Sequence, residues 1–219
     1  ELARGFKDDP EILTILKTRA TTDESWNVRR TAVEELARGF KDDPEILTIL
    51  KTRATTDQNW DVRRTAVREL ARGFKNDPET LTILKTRATT DQHSDVRRTA
   101  VQELARGFKD DPEILTILKT RATTDESWNV RRTAVEELAR GFKEDPQLFE
   151  LLCDRALNDP FERQKERRDN PRQTALAGLL RNYLNHPQTL PLLRDRAEND
   201  PDEQLREWAH KQLEKFDKD

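Results

Sequence analysis

The side chains best placed for chemistry are arginines. Arg64, Arg68 and Arg72 stand four residues apart, and Arg98, Gln102 and Arg106 repeat that spacing further along the chain. On a helix this interval stacks them along one face, where planar guanidinium groups suit carboxylate or phosphate oxygens. Like charges so spaced repel by roughly 0.2–0.5 kcal/mol per pair. Glu69 and Glu103 soften this without cancelling it, and Gln102 offers no relief. The middle of the chain is therefore expected to carry a locally unfavourable patch that an acidic partner would relieve, with Arg68→Glu raising stability. Drift at position 68 is the competing reading and stays open. A second row, Trp26, Trp60 and Trp128, is interrupted by Ser94. These indoles either pack as lids on their own helix ends or form a protein-binding rim.

Catalytic chemistry finds little support. Cys153 lies beside Leu151 and Leu152, without a histidine at motif spacing, and reads as a small hydrophobe. A lone cysteine excludes an internal disulfide framework and a cysteine-based zinc site, and His93, His186 and His210 are far apart. No phosphate-cradling glycine loop occurs. No enzyme activity and no cofactor are expected.

These residues sit in a repeat. Glu1, Glu35, Glu69 and Glu103 open successive copies 34 residues apart; residues 1–34 return letter for letter at 103–136, and with few changes at 35–68 and 69–102. A fixed period of this size marks a solenoid, whose units bury their apolar faces only against neighbours. Composition alone, 38% charged and 33% hydrophobic with a mean hydropathy of −0.99, would suggest disorder, and the periodicity overrules it. The net charge of −3 lacks the overall basic footprint of a non-specific nucleic-acid binder. No apolar run approaches the roughly 20 residues of a membrane-spanning helix. One cysteine suits a reducing, cytoplasmic setting.

Each unit reads as two helices. Helix A starts at Asp9-Pro10-Glu11, a cap, a tolerated first-turn proline and an acid at the positive end, and runs to Thr22. Helix B follows Asn27, or Asp61 and Asp95 in sister units, and presents Val28, Ala32, Val33 and Leu36 on one side. Gly39, Gly73, Gly107 and Gly141, with Asn182 in the divergent unit, are expected to close helix B in the left-handed conformation. About six helix pairs are expected. Residues 137–219 diverge, and 160–169 hold a charge-rich insertion, read as a surface loop, whose Arg163, Lys165, Arg167 and Arg168 could meet an anion.

Asp23, Val28-Arg29, Ala32 and Leu36, with Asp57-Arg63, Asp91-Arg97 and Asp125-Arg131 in register, resemble the bacterial HEAT repeat over essentially the whole chain, 1–219, as a single solenoid. The resemblance implies an all-α, right-handed α-α superhelix, an Asp–Arg ladder between units, and a concave face lined by helix B. The NDPFE, DNPRQTAL and HPQTLPLLRDRAENDPDEQ stretches resemble the tails of cyanobacterial HEAT proteins that carry a NACHT-type nucleotide-binding module, which would make this chain a sensor or interaction arm. A designed repeat scaffold is the rival origin, although the irregular fifth unit and its cysteine argue against it. Two functions stay open: recognition of a protein or acidic peptide, and nucleic-acid binding along the arginine row. The missing methionine and the start inside a motif read as a trimmed, monomeric piece. Apolar surface at Leu13, Leu16, Ala32 or Val33 would then promote end-to-end association.

Overall fold

The computed structural model describes residues 10–164 and 169–216. Lys165, Arg167 and Arg168 lie outside the described residues. Twelve helices, six consecutive pairs, make up the described fold: α1 (Pro10–Thr22), α2 (Trp26–Gly39), α3 (Pro44–Thr56), α4 (Trp60–Gly73), α5 (Pro78–Thr90), α6 (Ser94–Gly107), α7 (Pro112–Thr124), α8 (Trp128–Gly141), α9 (Leu148–Asn158), α10 (Pro171–Asn182), α11 (Thr189–Asn199) and α12 (Glu203–Phe216). They divide into two compact units, Glu1–Ile117 and Leu118–Asp219.

In the first unit each odd helix pairs with the even helix after it, and α2, α4 and α6 pack closely on one another while α1, α3 and α5 touch more lightly. Burial follows the apolar period. Ile46, Leu50, Val62, Ala66, Val67 and Leu70 are fully buried in α3 and α4, each large side chain contributing about 1.5–3 kcal/mol. Thr80 takes the Ile46 position in the next copy and is fully buried, its hydroxyl without a hydrogen-bond partner. At the α1–α2 end Leu13 and Leu16 are half-buried, whereas Ala32 and Val33 are covered. The apolar side chains most open there are Ile15, Trp26 and Val28.

Helices α3 and α5 start as expected: Asp43 and Asp77 cap them, accepting from the Glu45 and Glu79 N–H, with proline in the first turn, whereas Asp9 lies outside the described residues and α9 and α11 follow Gln147 and Gln188 without a side-chain cap bond. Two local expectations are corrected. Helix B begins one residue before Asn27, Asp61 and Asp95, so Asn59 and His93 cap α4 and α6, and Ser25 stands at the cap position of α2 without a side-chain bond. The glycines do not take the left-handed conformation: among the described residues none has positive φ. The chain leaves helix B instead at Phe40, Phe74 and Phe108, whose N–H groups still reach Leu36, Leu70 and Leu104. With the last helical bond kept on negative φ, no residue needs glycine's freedom there.

In the second unit α8 and α10 pack closely, and Gly178 makes this approach fit: a Cβ there would stand 2.9 Å from the Ala139 Cβ. The insertion is not simply a solvated loop. Phe161 is buried, and Arg163 holds Asp202 through Nε and Nη2 at 2.8 and 2.7 Å.

Candidate functional site

The ladder runs between successive copies of the repeat as well as within them. Arg29 Nε and Nη2 donate to both Asp57 carboxylate oxygens at 2.9 and 3.0 Å, while its Nη1 donates to the carbonyls of Asp23 and Glu24. Arg63 treats Asp91, Asp57 and Gln58 in the same way. In the second unit Arg131 holds Asp159. Asp23 and Asp125 meet Arg19 and Arg121 of their own units, and Arg97 is buried with its Nη1 on the Asp91 carbonyl. Burial pushes the Asp57 and Asp91 carboxyls up, but the guanidinium bonds and the N–H groups of Asn59 and His93 outweigh it, holding both below the ordinary range. These residues are architecture. Arg172, which holds Asp200 at 2.9 Å through two nitrogens, continues the ladder and escaped the sequence reading because the insertion breaks its distance from the preceding aspartate.

A second ladder was missed. Lys17 pairs with Asp43 and Glu45, Lys51 with Asp77 and Glu79, and Lys85 with Asp111 and Glu113, all within 3.3 Å. Its signal is present in the sequence, since lysine and the Asp-Pro-Glu turn keep a constant separation. Only the stacking of units shows that this separation brings them together.

The arginine patch lies on one face of α4 and α6, but its charges are not left to repel each other. Arg68 stands 3.1 Å from Glu69 and 3.7 Å from Glu34 of the preceding copy. Arg72 donates twice to Glu103 of the following copy, at 3.1 and 2.8 Å. Arg64 pairs with Asp61, Arg98 with Asp95 at 3.3 Å, and Gln102, with its amide oxygen turned to Arg106, accepts at 3.2 and 2.7 Å. The expected strain at Arg68 is therefore corrected: Glu69 beside it on the same helix and Glu34 across the stack both meet it, and a count along one helix omits the second.

Trp60 stacks flat on His93 of the next turn, ring centroids 4.1 Å apart, with the Arg64 guanidinium of its own helix over the ring at 5.2 Å. Trp128 meets Phe161 edge-on at 5.7 Å, and Trp26 is exposed. Two of the three indoles thus make ring contacts with the next turn.

A concavity built from several helices lies in the second unit. A cleft of about 290 Å³ opens between α8, α10 and α12, with Arg132, Gln173, Ala177, Arg181 and Trp208 on its walls and Gly178 beneath. Arg132 is engaged by Glu136 at 3.3 Å and Asp169 at 3.7 Å. The cleft's signal is present in the sequence: Ala177 takes the position of Glu34 and Glu136, and Gly178 beside it that of Glu35, Glu69, Glu103 and Glu137, so both glutamates are lost together.

The cleft lining holds no cysteine or histidine. Burial and the nearby Glu150 push the Cys153 thiol up, which keeps the nucleophilic thiolate scarce at neutral pH. Among the described residues no group of His, Cys, Asp and Glu side chains is placed to hold a metal, and no helix is long and apolar enough to cross a membrane. Paired helices with interunit Arg–Asp bonds define the class: an all-α tandem-repeat solenoid. The sequence matches the family described as HEAT repeats over residues 13–105 and 90–169, and the chain belongs to that family. Among solved structures it is similar to the Escherichia coli protein YibA, with 21% identity and a TM-score of 0.59 over 94% of this chain and 68% of that one, a likeness of fold alone. No curated protein sequence matches it.

Proposed function

We propose that this HEAT-repeat solenoid is a non-catalytic recognition scaffold whose B helices and their preceding turns receive a segment of another protein, an acidic peptide by preference. One observation carries the reading. Apart from Asn76 and Thr80, every difference among the four near-identical copies falls in the turn before helix B, in the first two residues of that helix, or in the column Glu34, Arg68, Gln102 and Glu136, whose members are half-buried or exposed. A framework held constant while a solvent-facing column changes is how a repeat protein varies what it binds. The carboxylates woven through the arginine row favour a peptide over a polyphosphate backbone, which needs cations without competing acids. The finer placement, as the sensor arm of a NACHT-type NTPase, is supported by the resemblance of the three stretches between 158 and 204.

Selecting a displayed random peptide library against the chain, then mapping the enriched peptide by hydrogen exchange, tests this. Protection of the B helices or their turns is expected. Enrichment of nothing, or protection confined to the A helices, would refute it. Oligonucleotide binding that weakens steeply between low and moderate salt would transfer the function to nucleic acid.

A further inference from the structure

Arg181 differs from Arg38, Arg72 and Arg140 of its own column, each of which meets an acid. Its counterpart Arg38 is met by Glu34 at 2.7 Å and Glu69 at 4.0 Å, Arg72 by Glu103 at 2.8 Å, and Arg140 by Glu137. The acids come from three places: four residues earlier, three residues earlier, and the next copy. For Arg181 all three are gone. Ala177 and Gly178 hold the two positions on its own helix, and Gln212 holds the corresponding place in α12 and bonds Lys215 instead. Arg181 makes no ion pair among the described residues, and it stands exposed on the wall of the cleft. The lost side chains also create the space: Ala177 is short, and Gly178 cannot grow because Ala139 lies against it. Across the opening Trp208 occupies the register of Thr174, Thr133 and Thr99 and is half-buried, leaving part of its indole to a ligand.

We propose that this cleft is a binding site for a single carboxylate carried by a peptide segment, held by the Arg181 guanidinium while the adjoining residue lies against Trp208. This deepens the recognition reading and rests on it. The charge balance selects the ligand. Glu136 and Asp169 both engage Arg132, so the lining sums to zero charge while Arg181 is left without an ion pair among the described residues. One carboxylate meets that cation and leaves a net charge of −1, whereas a phosphate dianion or a nucleic-acid strand would bring still more negative charge against the two acids. Gln173 and Thr174 are half-buried on the same wall and offer hydrogen bonds to the adjoining amide. The carboxylate can come from an aspartate or glutamate side chain or from a chain end, which share this chemistry.

The test uses the full chain labelled with nitrogen-15, following the indole N–H resonance of Trp208, assigned by Trp208→Phe among the four tryptophans. The probes are acetyl-Gly-Asp-Leu-Gly-amide, its Asn counterpart, and acetyl-Gly-Leu-Gly with a free carboxyl end. The aspartyl or the free-end peptide is expected to shift the resonance saturably, identifying the carboxylate source, and the Asn peptide is not. Arg181→Gln should weaken binding about tenfold or more, the range for a lost charge-assisted bond. Ala177→Glu, which restores the acid found in sister copies, should do the same with the spectrum otherwise intact. Arg38→Gln, at the same register but already paired, should leave binding unchanged. A resonance unmoved by every carboxylate probe, or moved equally in the Arg181→Gln chain, would overturn the site. If a library-selected peptide protects α2, α4 or α6 while the Trp208 resonance stays still, the cleft assignment falls and the recognition reading stands. If no peptide binds anywhere, both fall.

Discussion

Arg63→Ala probes what ties successive repeats together. The guanidinium is 13% exposed and the Asp91 side chain 1%, so the pair is effectively out of water. Removing the arginine breaks two bonds to Asp91, at 2.9 and 2.8 Å, and takes donors from the carbonyls of Asp57 and Gln58. Breaking a buried pair from one side costs about 3–5 kcal/mol, because the other charge is left behind. Asp91 keeps Arg87 at 3.4 Å and the His93 N–H at 2.9 Å, which places the loss at the lower end, about 3 kcal/mol. The control is Arg38→Ala, where a half-exposed arginine meets Glu34 within one helix and the loss should be about 0.3–0.5 kcal/mol. Urea titration at constant ionic strength measures both without screening the charges. In the parent chain the Asp91 carboxyl is held below its unfolded value of about 4, so its contribution is present above that pH and is lost as pH falls through the lower folded value. Without Arg63, burial raises the carboxyl, protonation removes the stranded charge sooner, and the gap between parent and variant should narrow as pH falls from 7 toward 4 and below. A shift no larger than that of Arg38→Ala, or a gap that does not narrow in acid, would refute this reasoning.

Three further outcomes are checked by the same denaturation experiments. Thr80→Ile restores the residue that Ile46 supplies in the preceding copy and removes a buried hydroxyl without a partner; it should raise stability by about 1–2 kcal/mol. Gly39→Ala, at a helix end with negative φ and nothing within 4 Å of the new Cβ, should stabilise by about 0.4–1 kcal/mol, whereas Gly178→Ala must push aside Ala139 at 2.9 Å and should destabilise by about 1–3 kcal/mol. Arg68→Glu places a third carboxylate beside Glu34 and Glu69 and should lower the melting temperature, while Arg68→Gln should lower it less.

Period, helix pairs and ladder aspartates were legible in the sequence because they depend on spacing along one chain. The stripe of Leu50, Val62, Ala66 and Leu70 has only one way to bury itself at helical spacing, and Asp43-Pro44-Glu45 starts a helix whatever surrounds it. Tertiary structure alone decided which charges are left over. Arg68 looked unrelieved and is not, since Glu34 of the preceding copy reaches it across the stack. Arg181 keeps the register of Arg38 and Arg72, yet it lacks an acid because Ala177 and Gly178 stand on its own helix and Gln212 in the next copy, where Arg72 finds Glu103. The ends of helix B were likewise settled by geometry, Phe40 leaving on negative φ where glycine predicted a left-handed turn. Local preference and periodicity act over a few residues and can be read in line, whereas electrostatic neutrality is a property of side chains that meet only after the units have stacked.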